Sequence, residues 1–390
     1  MIRFYIAIFI LIFINGCSLK QDSTLDSTLD STLKVESKVE SSQINIDSNK
    51  DSTKLDSTLK NEIVKVKLSF VGDIVLGDYK GATGATFNAK FKEVKGDYSY
   101  FSKGVAKIFS EDDLSIGNLE GVLTDKNLPT AFKKPFSFKG KSIYTNILKS
   151  SNIESVNIAN NHTRDYGMEG FKDTKKNLEN AKINYFGEGN LSIVEIKGKK
   201  FGFAGHRGWN LNVKKQVKND ITKLKHLGAD IVIFTFHFGE ERKHIPNKIQ
   251  IELAHFAIDN GASLVIGHHP HVLQSIEEYK GKKIIYSLGN FIYGGAKNPS
   301  DKDSMIYQVE FIFHTKDLRI TPQTDYITNL NAIDSLDTNT TLVHNIIPVS
   351  ISSNDNFNDY SPRIYDKNSK EYKRVFNRLE EYSKTLQTNN

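Results

Sequence analysis

The sequence predicts an α/β fold in which helices cover β-sheets, and three observations support this prediction. Apolar runs such as Asp230–Phe236 and Ala262–Ile266 have the near-continuous hydrophobicity of parallel strands that are buried on both faces. Segments with helical patterning, such as residues 247–259, alternate with these runs. Polar side chains that could bind a metal follow several of the runs, as expected where the carboxyl ends of strands open onto a ligand site.

The first 17 residues predict a lipoprotein signal peptide. Arg3 precedes an apolar run at residues 4–14, which is shorter than the roughly 20 residues of a membrane-spanning helix. Ile14-Asn15-Gly16-Cys17 then resembles the bacterial lipoprotein signal, whose cysteine is lipidated. We therefore expect an extracytoplasmic protein, anchored to the cell membrane by lipid on Cys17. An uncleaved anchor is the alternative, and it also places the rest of the chain outside the cytoplasmic membrane.

Residues 18–62 predict a disordered tether between the lipid and a folded domain. The motif Asp-Ser-Thr-Leu recurs at 22–25, 26–29, 30–33 and 56–59, and the segment contains no aromatic residue. Such a composition buries too little apolar surface to offset the entropy of ordering the chain. Cys17 is the only cysteine, so no disulfide within the chain is expected.

We expect residues 63–390 to form one folded domain, with a motif-bearing core at 65–291 and further strands and a helix at 300–385. Residues 79–98 have the character of an insertion. The predicted helices are 99–110, 142–150, 169–181, 213–227, 247–259 and 369–385. The predicted strands are 65–71, 114–117, 155–159, two or three within 183–205, 230–236, 262–266, 272–279, 283–286, 305–314, 317–321 and 346–351.

Five predicted strands are followed by side chains that can bind a metal. A single such residue is more often a turn residue, a helix cap or a structural histidine. Five in sequence, all at the same end of their strands, favour one shared site. In chain order these residues are Asp73, Asn118, Glu120, Asn161, His162, His237, His268, His269 and His271. The histidines at 206, 226, 244, 255, 314 and 344 lack this placement and are interpreted as surface or structural residues.

A mixture of carboxylate, amide and imidazole ligands favours a divalent first-row ion such as manganese, iron or zinc. We expect Asp73, Glu120, Asn161, His237, His269 and His271 to provide the ligands for one or two ions. Two ions about 3.5–4 Å apart would suit in-line attack on phosphorus or the hydrolysis of an amide. His162 could protonate a leaving oxygen, or it could serve only as a hydrogen-bond donor behind the ligands.

Taken together, these motifs resemble the CapA family of poly-gamma-glutamate capsule biosynthesis proteins, a branch of the calcineurin-like metallophosphoesterase superfamily. The resemblance covers residues 65–291. The motifs that carry it are Gly72-Asp73-Ile74, Asn118-Leu119-Glu120, Ala159-Asn160-Asn161-His162-Thr163, Asp165-Tyr166-Gly167, His237-Phe238-Gly239-Glu240, Gly267-His268-His269-Pro270-His271 and Tyr286-Ser287-Leu288-Gly289-Asn290-Phe291. The resemblance implies a four-layer α-β-β-α sandwich with a dinuclear site at one edge.

The resemblance also implies roles for individual residues. Asp73 matches the first metal-binding aspartate, and His162 matches the catalytic histidine. Glu120 stands where a bridging aspartate is expected, with Asn118 as the less favoured alternative. The superfamily usually has a histidine two residues after the first aspartate, and Val75 occupies that position here. The residues expected to contact substrate or to support the ligands are Asn118, Asn160, Arg164, Asp165, Glu240, His268 and Asn290.

Three functions are compatible with these features. The first is a metal-dependent hydrolase in capsule or poly-gamma-glutamate synthesis or export, acting on a phosphoester or an anionic polymer. The second is a non-catalytic accessory subunit of a membrane polymer synthase or export complex, and the third is a lipid-anchored solute-binding protein, which the ordered ligand set disfavours. The net charge of +6 comes from scattered basic residues, so nucleic-acid binding is not expected.

Overall fold

The computed structural model describes residues 63–314, 333–337 and 339–389. These residues belong to one compact unit, Leu59–Asn390. The predicted signal peptide, its lipidation site Cys17, the predicted tether and the predicted strand at 317–321 lie outside the described residues. Within the described residues, no helix combines the length and the apolar character needed to cross a membrane.

The secondary structure follows the predicted alternation of strands and helices. The helices are α1 Phe87–Glu93, α2 Ala106–Ser110, α3 Thr145–Ser150, α4 Gly167–Ala181, α5 Lys214–His226, α6 Lys248–Asp259 and α7 Lys370–Asn389. The strands are β1 Ile63–Val75, β2 Asp78–Tyr79, β3 Leu114–Leu119, β4 Val122–Leu123, β5 Phe138–Gly140, β6 Ser155–Asn157, β7 Asn184–Phe186, β8 Ser192–Ile196, β9 Lys199–Gly208, β10 Ile231–Phe238, β11 Leu264–His268, β12 Ile276–Tyr279, β13 Lys282–Ile285, β14 Asn290–Tyr293, β15 Asp303–His314, β16 Ile333–Asp337, β17 Thr340–Ser350 and β18 Arg363–Ile364.

Two large sheets carry the architecture. The first runs β16-β17-β15-β1-β3-β6-β7, with β14 beside β1 and β18 beside β17, and the second runs β12-β13-β11-β10-β9-β8. The pairs β1–β3, β3–β6, β9–β10 and β10–β11 are parallel. The carboxyl ends of the strands within each parallel set therefore meet at one edge of each sheet.

The two sheets face each other across the main hydrophobic core. Phe70 of β1 and Phe311 of β15 pack in the same cluster as Phe203 of β9 and Ile233 of β10. A second cluster lies between the first sheet and helices α1 to α4, and a third lies between the second sheet and helices α5 and α6. The layers are therefore helix, sheet, sheet and helix, which confirms the predicted four-layer sandwich.

Strand β10 illustrates why the apolar runs are continuous. Ile231 and Ile233 face the core between the sheets, whereas Val232, Phe234 and Phe236 face the outer helices. Both faces of the strand are buried, so both sets of positions are apolar.

The structure differs from the predictions in several elements. The predicted helix 99–110 is divided into a 3-10 turn, Tyr98–Phe101, and the short helix α2, because Gly104 between them forms a bridge to Arg363. The segment 79–98, which has the character of an insertion, contains α1, and α1 buries Phe87. Strands β2, β4, β5, β14, β16 and β18 were not predicted, and all but β16 contain only two to four residues, too few to show a clear strand pattern.

Candidate metal centre

Asp73 lies at the middle of the site and joins several elements. Its fully buried side chain follows a change of register in the pairing of β1 with β3. Asn118 Nδ2 donates to Asp73 Oδ1 at 2.8 Å, and the backbone N–H of His269 donates to Oδ2 at 3.2 Å. His271 Nδ1 lies 3.1 Å from Oδ2. Burial alone would raise the pKa of Asp73, but its hydrogen bond and attraction to His271 hold that pKa below its usual value.

Glu120 is a fully buried carboxylate whose two oxygens accept no hydrogen bond from any described residue. Three imidazoles surround it at distances longer than a hydrogen bond. The Nε2 atoms of His237, His162 and His271 lie 3.6, 3.7 and 3.9 Å from Glu120 Oε1. Burial raises the pKa of Glu120 to about 8, although the positive charge of His271 opposes the shift.

His237 is held between two amide side chains. It lies within β10 rather than after it, and its ring is fully buried. Asn118 Nδ2 lies 3.2 Å from His237 Nδ1, and Asn161 Oδ1 lies 2.7 Å from His237 Nε2. The predicted ligands Asn161 and His237 are therefore in direct contact.

His269 and His271 follow β11 with unusual backbone geometry. Their φ angles are +101° and +58°, in a region that residues other than glycine rarely occupy. Residues held in such conformations are concentrated at functional sites, where the surrounding structure enforces them. Asn290 supports this turn, because its Oδ1 lies 2.9 Å from His271 Nδ1 and its Nδ2 donates to the His271 carbonyl at 3.1 Å.

Most of the imidazoles in the site are held uncharged. Burial lowers the pKa of His268 to about 4 and that of His269 to about 3, and it also lowers the pKa of His237. Burial would lower the pKa of His271 as well, but attraction to Glu120 and the hydrogen bond to Asp73 raise it to about 9. Neutral imidazoles are suited to metal coordination.

Among the described residues, three groups of side chains could each hold a metal ion. The groups are Glu120–His237–His269, Asp73–Glu120–His271 and Glu241–His269–His271, and the ligand atoms of each group lie within 4.8 Å of one another. Glu120 belongs to two of these groups. A buried carboxylate without donors is costly unless a cation compensates it, so these residues fit a divalent metal.

His162 lies at the wall of the site with its own charged partners. Its Nδ1 atom lies 2.7 Å from Asp165 Oδ2, and its ring packs against Phe138 with centroids 4.2 Å apart. Lys134 forms an ion pair with Asp165 and lies 3.2 Å from His162 Nδ1. This arrangement directs His162 Nε2 toward Glu120. Burial lowers the pKa of His162, although the hydrogen bond to Asp165 opposes this effect.

The structure also places the other predicted supporting residues. Asn160 is buried and donates to the Leu119 carbonyl at 2.8 Å, and His268 Nδ1 lies 3.5 Å from Asp73 Oδ1. Arg164 forms an ion pair with Glu188 at 2.9 Å. Glu240 and Glu241 are both exposed, and Glu241 is the one grouped with the histidines.

Sequence reasoning missed Glu241, Lys134 and Trp209. Glu241 adjoins the predicted Glu240, and only the path of the loop after β10 shows which of the two approaches the histidines. Lys134 lies in a loop with no distinguishing motif and donates to the Asn161 carbonyl at 3.0 Å. Trp209 packs edge-on against His269 with ring centroids 4.7 Å apart. Trp209 follows β9, and this position after a strand was the one feature of the sequence that could have indicated a role in the site.

Val75 occupies the position at which the resemblance stated above implies a histidine. Its side chain is buried in a small apolar cluster with Phe138 and Tyr293. This side of the site therefore offers one imidazole fewer than the resemblance implies. The ring of Tyr293 lies against His271, with centroids 5.1 Å apart.

Comparison with known proteins identifies the family. The model of the bacterial capsule synthesis protein PGA_cap matches residues 67–294, which is more than half of the 390-residue chain. The PGA biosynthesis protein CapA of Bacillus subtilis is 34% identical over 247 residues, covering 58% of this chain and 62% of that protein. The capsule biosynthesis protein CapA of Bacillus anthracis is 30% identical over 281 residues, covering 65% of this chain and 64% of that protein.

The matched segments thus span less than two thirds of the length of each of these relatives. Among solved structures, the 5'-nucleotidase of Candida albicans is similar with a TM-score of 0.37 and 14% identity, covering 82% of this chain and 57% of that one. The superposition on the 5'-nucleotidase covers only part of each chain. The family assignment depends instead on the match over residues 67–294, and by that match the chain belongs to the PGA_cap family of bacterial capsule synthesis proteins.

Proposed function

We propose that this protein is a divalent-metal-dependent hydrolase that acts on a phosphoester or a polymer amide during the synthesis or export of a capsule polymer such as poly-gamma-glutamate. The observation that carries the proposal is Glu120. A fully buried carboxylate with no hydrogen-bond donor among the described residues, surrounded by the imidazoles of His162, His237 and His271, is best explained by a bound cation.

The proposed ligands are Asp73, Glu120, Asn161, His237, His269 and His271, with Glu241 added by its grouping with the two last histidines. When bound, one or two ions of manganese, iron or zinc would supply a Lewis acid and a nucleophilic hydroxide at neutral pH. Asn118 and Asn290 would hold Asp73 and His271 in position through the hydrogen bonds already described.

His162 is the proposed proton donor to the leaving group. Its Nδ1–H is oriented by Asp165, which leaves Nε2 on the side of the ring that faces Glu120. Lys134 forms an ion pair with the buried Asp165 and so helps to fix the carboxylate that orients His162. Asp165 and Lys134 therefore act by positioning His162 and not by contacting a substrate.

We further propose that the protein is extracytoplasmic and is anchored to the membrane by lipid on Cys17. The proposal rests on the apolar run at residues 4–14 and the signal ending in Cys17. A Cys17→Ser variant should fail to incorporate a labelled fatty acid and should leave the membrane fraction. Unchanged labelling would contradict it.

The hydrolase proposal is tested with the full-length protein purified in detergent. We expect bound manganese, iron or zinc by elemental analysis, and turnover of a phosphoester or of a γ-glutamyl amide in a substrate screen. His162→Ala should lower turnover by about 10²- to 10⁴-fold while leaving the metal bound. His226→Ala, which removes an exposed histidine at the end of α5, is the matched control. Absence of metal, together with equal activity in wild type and His162→Ala, would refute the proposal.

A second candidate is a non-catalytic accessory subunit of a membrane polymer synthase or export complex. The observation that favours it is Val75, since the site has one imidazole fewer than a complete dinuclear site. In cells that depend on this protein for polymer output, an Asp73→Asn variant separates the two functions. Loss of polymer output in this variant favours the hydrolase. Normal polymer output, together with retained co-purification with membrane partners, favours the accessory subunit.

A further inference from the structure

Two arginines lie together beside the metal centre and share one carboxylate. Arg164 Nη2 lies 2.9 Å from Glu188 Oε2, and Arg207 Nε lies 2.8 Å from Glu188 Oε1. Arg207 Nη2 also donates to Glu188 Oε2, at 3.3 Å. The side chain of Glu188 is only 7% exposed, whereas those of Arg164 and Arg207 are 40% and 39% exposed. The carboxylate thus lies beneath two guanidinium groups that remain accessible to solvent.

The elements that carry the metal ligands also position this cluster. Arg164 follows Asn161 and His162 in the same turn, and Arg207 is the register partner of His237 in the β9–β10 pair. Glu188 follows Gly187, at which a Cβ atom would lie 2.5 Å from Asn157 Oδ1. That close approach holds residues 187–188 against the end of β6. The cluster and the metal centre therefore belong to one edge of the sheets.

The arginines retain hydrogen-bonding capacity that the structure does not use. The bonds to Glu188 engage Nη2 of Arg164 and both Nε and Nη2 of Arg207. Arg164 Nε is buried, and no described residue accepts a hydrogen bond from it. Two cations against one anion leave the cluster with a net charge of +1. An arginine presents its donors in a planar fork that matches carboxylate and phosphate oxygens.

Arg207 and Glu188 border a cavity, and an exposed aromatic ring follows Arg207 in the chain. A cavity of about 310 Å³ is lined by Glu188, His206, Arg207, Asn212, Val213 and Gln216. That volume lies at the lower end of the range for small-molecule sites. Trp209, two residues beyond Arg207, is 40% exposed and also packs against His269. The segment that carries Arg207 is therefore in contact with His269, a proposed metal ligand.

We propose that Arg164 and Arg207, held side by side by Glu188, form an oxyanion-binding subsite that recognises a carboxylate or phosphate of the substrate next to the group being cleaved. This inference rests on the proposed hydrolase function, which it deepens by assigning the recognition of the anionic substrate to named residues. Glu188 is a positioning residue in this scheme, because it contacts the arginines and not the substrate.

The competing interpretation is that the three side chains form a structural ion pair only. Glu188→Gln distinguishes the two, because it removes the internal competitor for the guanidinium donors and raises the local charge by one. A binding subsite should then bind an anion more tightly than the wild type does at low salt. A purely structural ion pair should lose stability without any gain in anion binding.

The test measures binding by the full-length protein in detergent, after its metal has been removed with a chelator. Binding by metal-free protein keeps the subsite separate from catalysis. The fluorescent probes are a short γ-linked glutamate oligomer, the neutral γ-linked glutamine oligomer of equal length, and a short glycerol phosphate oligomer. The variants are Arg164→Ala, Arg207→Ala and Glu188→Gln, and Arg363→Ala removes a partly exposed arginine that is paired with Asp355 elsewhere.

We expect one anionic oligomer to bind, and Arg164→Ala and Arg207→Ala each to raise its Kd by about tenfold or more. Arg363→Ala should not change the Kd, and the neutral oligomer should bind weakly to every protein. Preference for the glutamate oligomer identifies a carboxylate as the ligand, and preference for the glycerol phosphate oligomer identifies a phosphate. Melting temperatures confirm that each variant is folded.

Equal binding of the neutral and anionic oligomers, or a Kd that neither arginine substitution changes, would overturn the inference. Arginine-dependent binding without any turnover after metal is restored would support the subsite and count against the hydrolase. Turnover that is unaffected by either arginine substitution would support the hydrolase and count against the subsite. The two proposals can therefore fail separately.

Discussion

At the scale of single residues, Glu120 has the least favourable environment among the described acidic residues of the site. It is fully buried, neither oxygen accepts a hydrogen bond from a described residue, and burial raises its pKa to about 8. Metal binding would require the ionised carboxylate and would compensate its charge. The stabilisation that a metal gives to the folded protein should therefore depend on this side chain.

We predict that adding manganese or zinc to metal-free wild type raises its melting temperature and that Glu120→Gln reduces this rise. A ligand at about a hundredfold excess over its Kd stabilises the folded state by about 2.7 kcal/mol, and an uncharged amide in place of the carboxylate would lower the metal affinity. The measurement is thermal unfolding with and without metal. Glu195→Gln, at an exposed position of β8, should retain the full rise. An equal rise in both variants would exclude Glu120 as a ligand.

At the scale of elements, the site depends on how closely β1 approaches the segment before β14. Gly72 precedes Asp73, and a Cβ atom at Gly72 would lie 2.0 Å from the carbonyl oxygen of Gly289. The backbone N–H of Asp73 donates to that same oxygen at 3.0 Å. Any side chain at position 72 must separate the two segments, and this would move Asp73 away from Asn290 and His271.

We predict that Gly72→Ala lowers both stability and metal content, because backbone atoms cannot give way as the end of a flexible side chain can. Urea unfolding and elemental analysis are the measurements. Gly198→Ala is the control for the loss of a glycine without a steric clash, because a Cβ atom at Gly198 would meet no atom within 4 Å. Since the φ angle of Gly198 is positive, this control should also lose a small amount of stability. Normal metal content in a folded Gly72→Ala protein would show that the approach of these two segments does not position the site.

The loop after β17 is organised by one carboxylate, and this makes its stability depend on pH. Asp359 accepts hydrogen bonds from Ser352 Oγ and the Ser353 backbone N–H at 2.8 and 2.9 Å. Burial alone would raise the pKa of Asp359, but the hydrogen bonds from Ser353 and Ser352 hold it below its usual value. A carboxyl group with a lowered pKa stabilises the folded state above its unfolded pKa, and this contribution is lost as the pH falls through the lower, folded value.

We predict that Asp359→Asn reduces the free energy of unfolding by about 1–3 kcal/mol at neutral pH, because it removes charge-assisted hydrogen bonds. The difference between the variant and the wild type should shrink as the pH falls below about 4, where the carboxyl group of the wild type becomes protonated. Urea unfolding at a series of pH values is the measurement. A difference that does not vary with pH would contradict the role given to the charge.

At the scale of the whole molecule, α7 completes the core between the two sheets. Val375 and Leu379 are fully buried in the same cluster as Phe70 and Phe311. Arg374 and Arg378 on the same helix also bond the buried Asp303 at the start of β15, with Arg374 Nε donating at 2.8 Å and Arg378 Nη1 at 2.7 Å. The end of the described chain is therefore part of the fold and not an appendage.

We predict that Leu379→Ala reduces the free energy of unfolding by about 2–5 kcal/mol, from lost burial and the cavity that remains. The same measurement on Lys384→Ala, which removes an exposed lysine of α7, should give a change within about 0.5 kcal/mol. If both variants unfold at the wild-type urea concentration, α7 does not contribute to the core.

Much of this molecule follows from local patterns in the sequence. The continuous apolar runs of β10 and β11 predicted buried parallel strands because both faces of these strands are covered. The observed helices α4, α5 and α6 lie within two residues of the predicted bounds, since the 3.6-residue periodicity of a packed helix is a local property. The four-layer arrangement was implied by the resemblance to the CapA family, and the two facing sheets confirm it.

The sequence by itself determined the fold class, the family and the strand ends at which polar side chains gather. Only the tertiary structure decided which of those side chains meet. It grouped Glu241 with His269 and His271, left Glu240 in solvent, and brought Lys134 and Glu188 to residues that are distant from them in the chain. Strand patterns are local, whereas contacts across the edge of two facing sheets depend on strand order, on register and on the paths of the loops between strands.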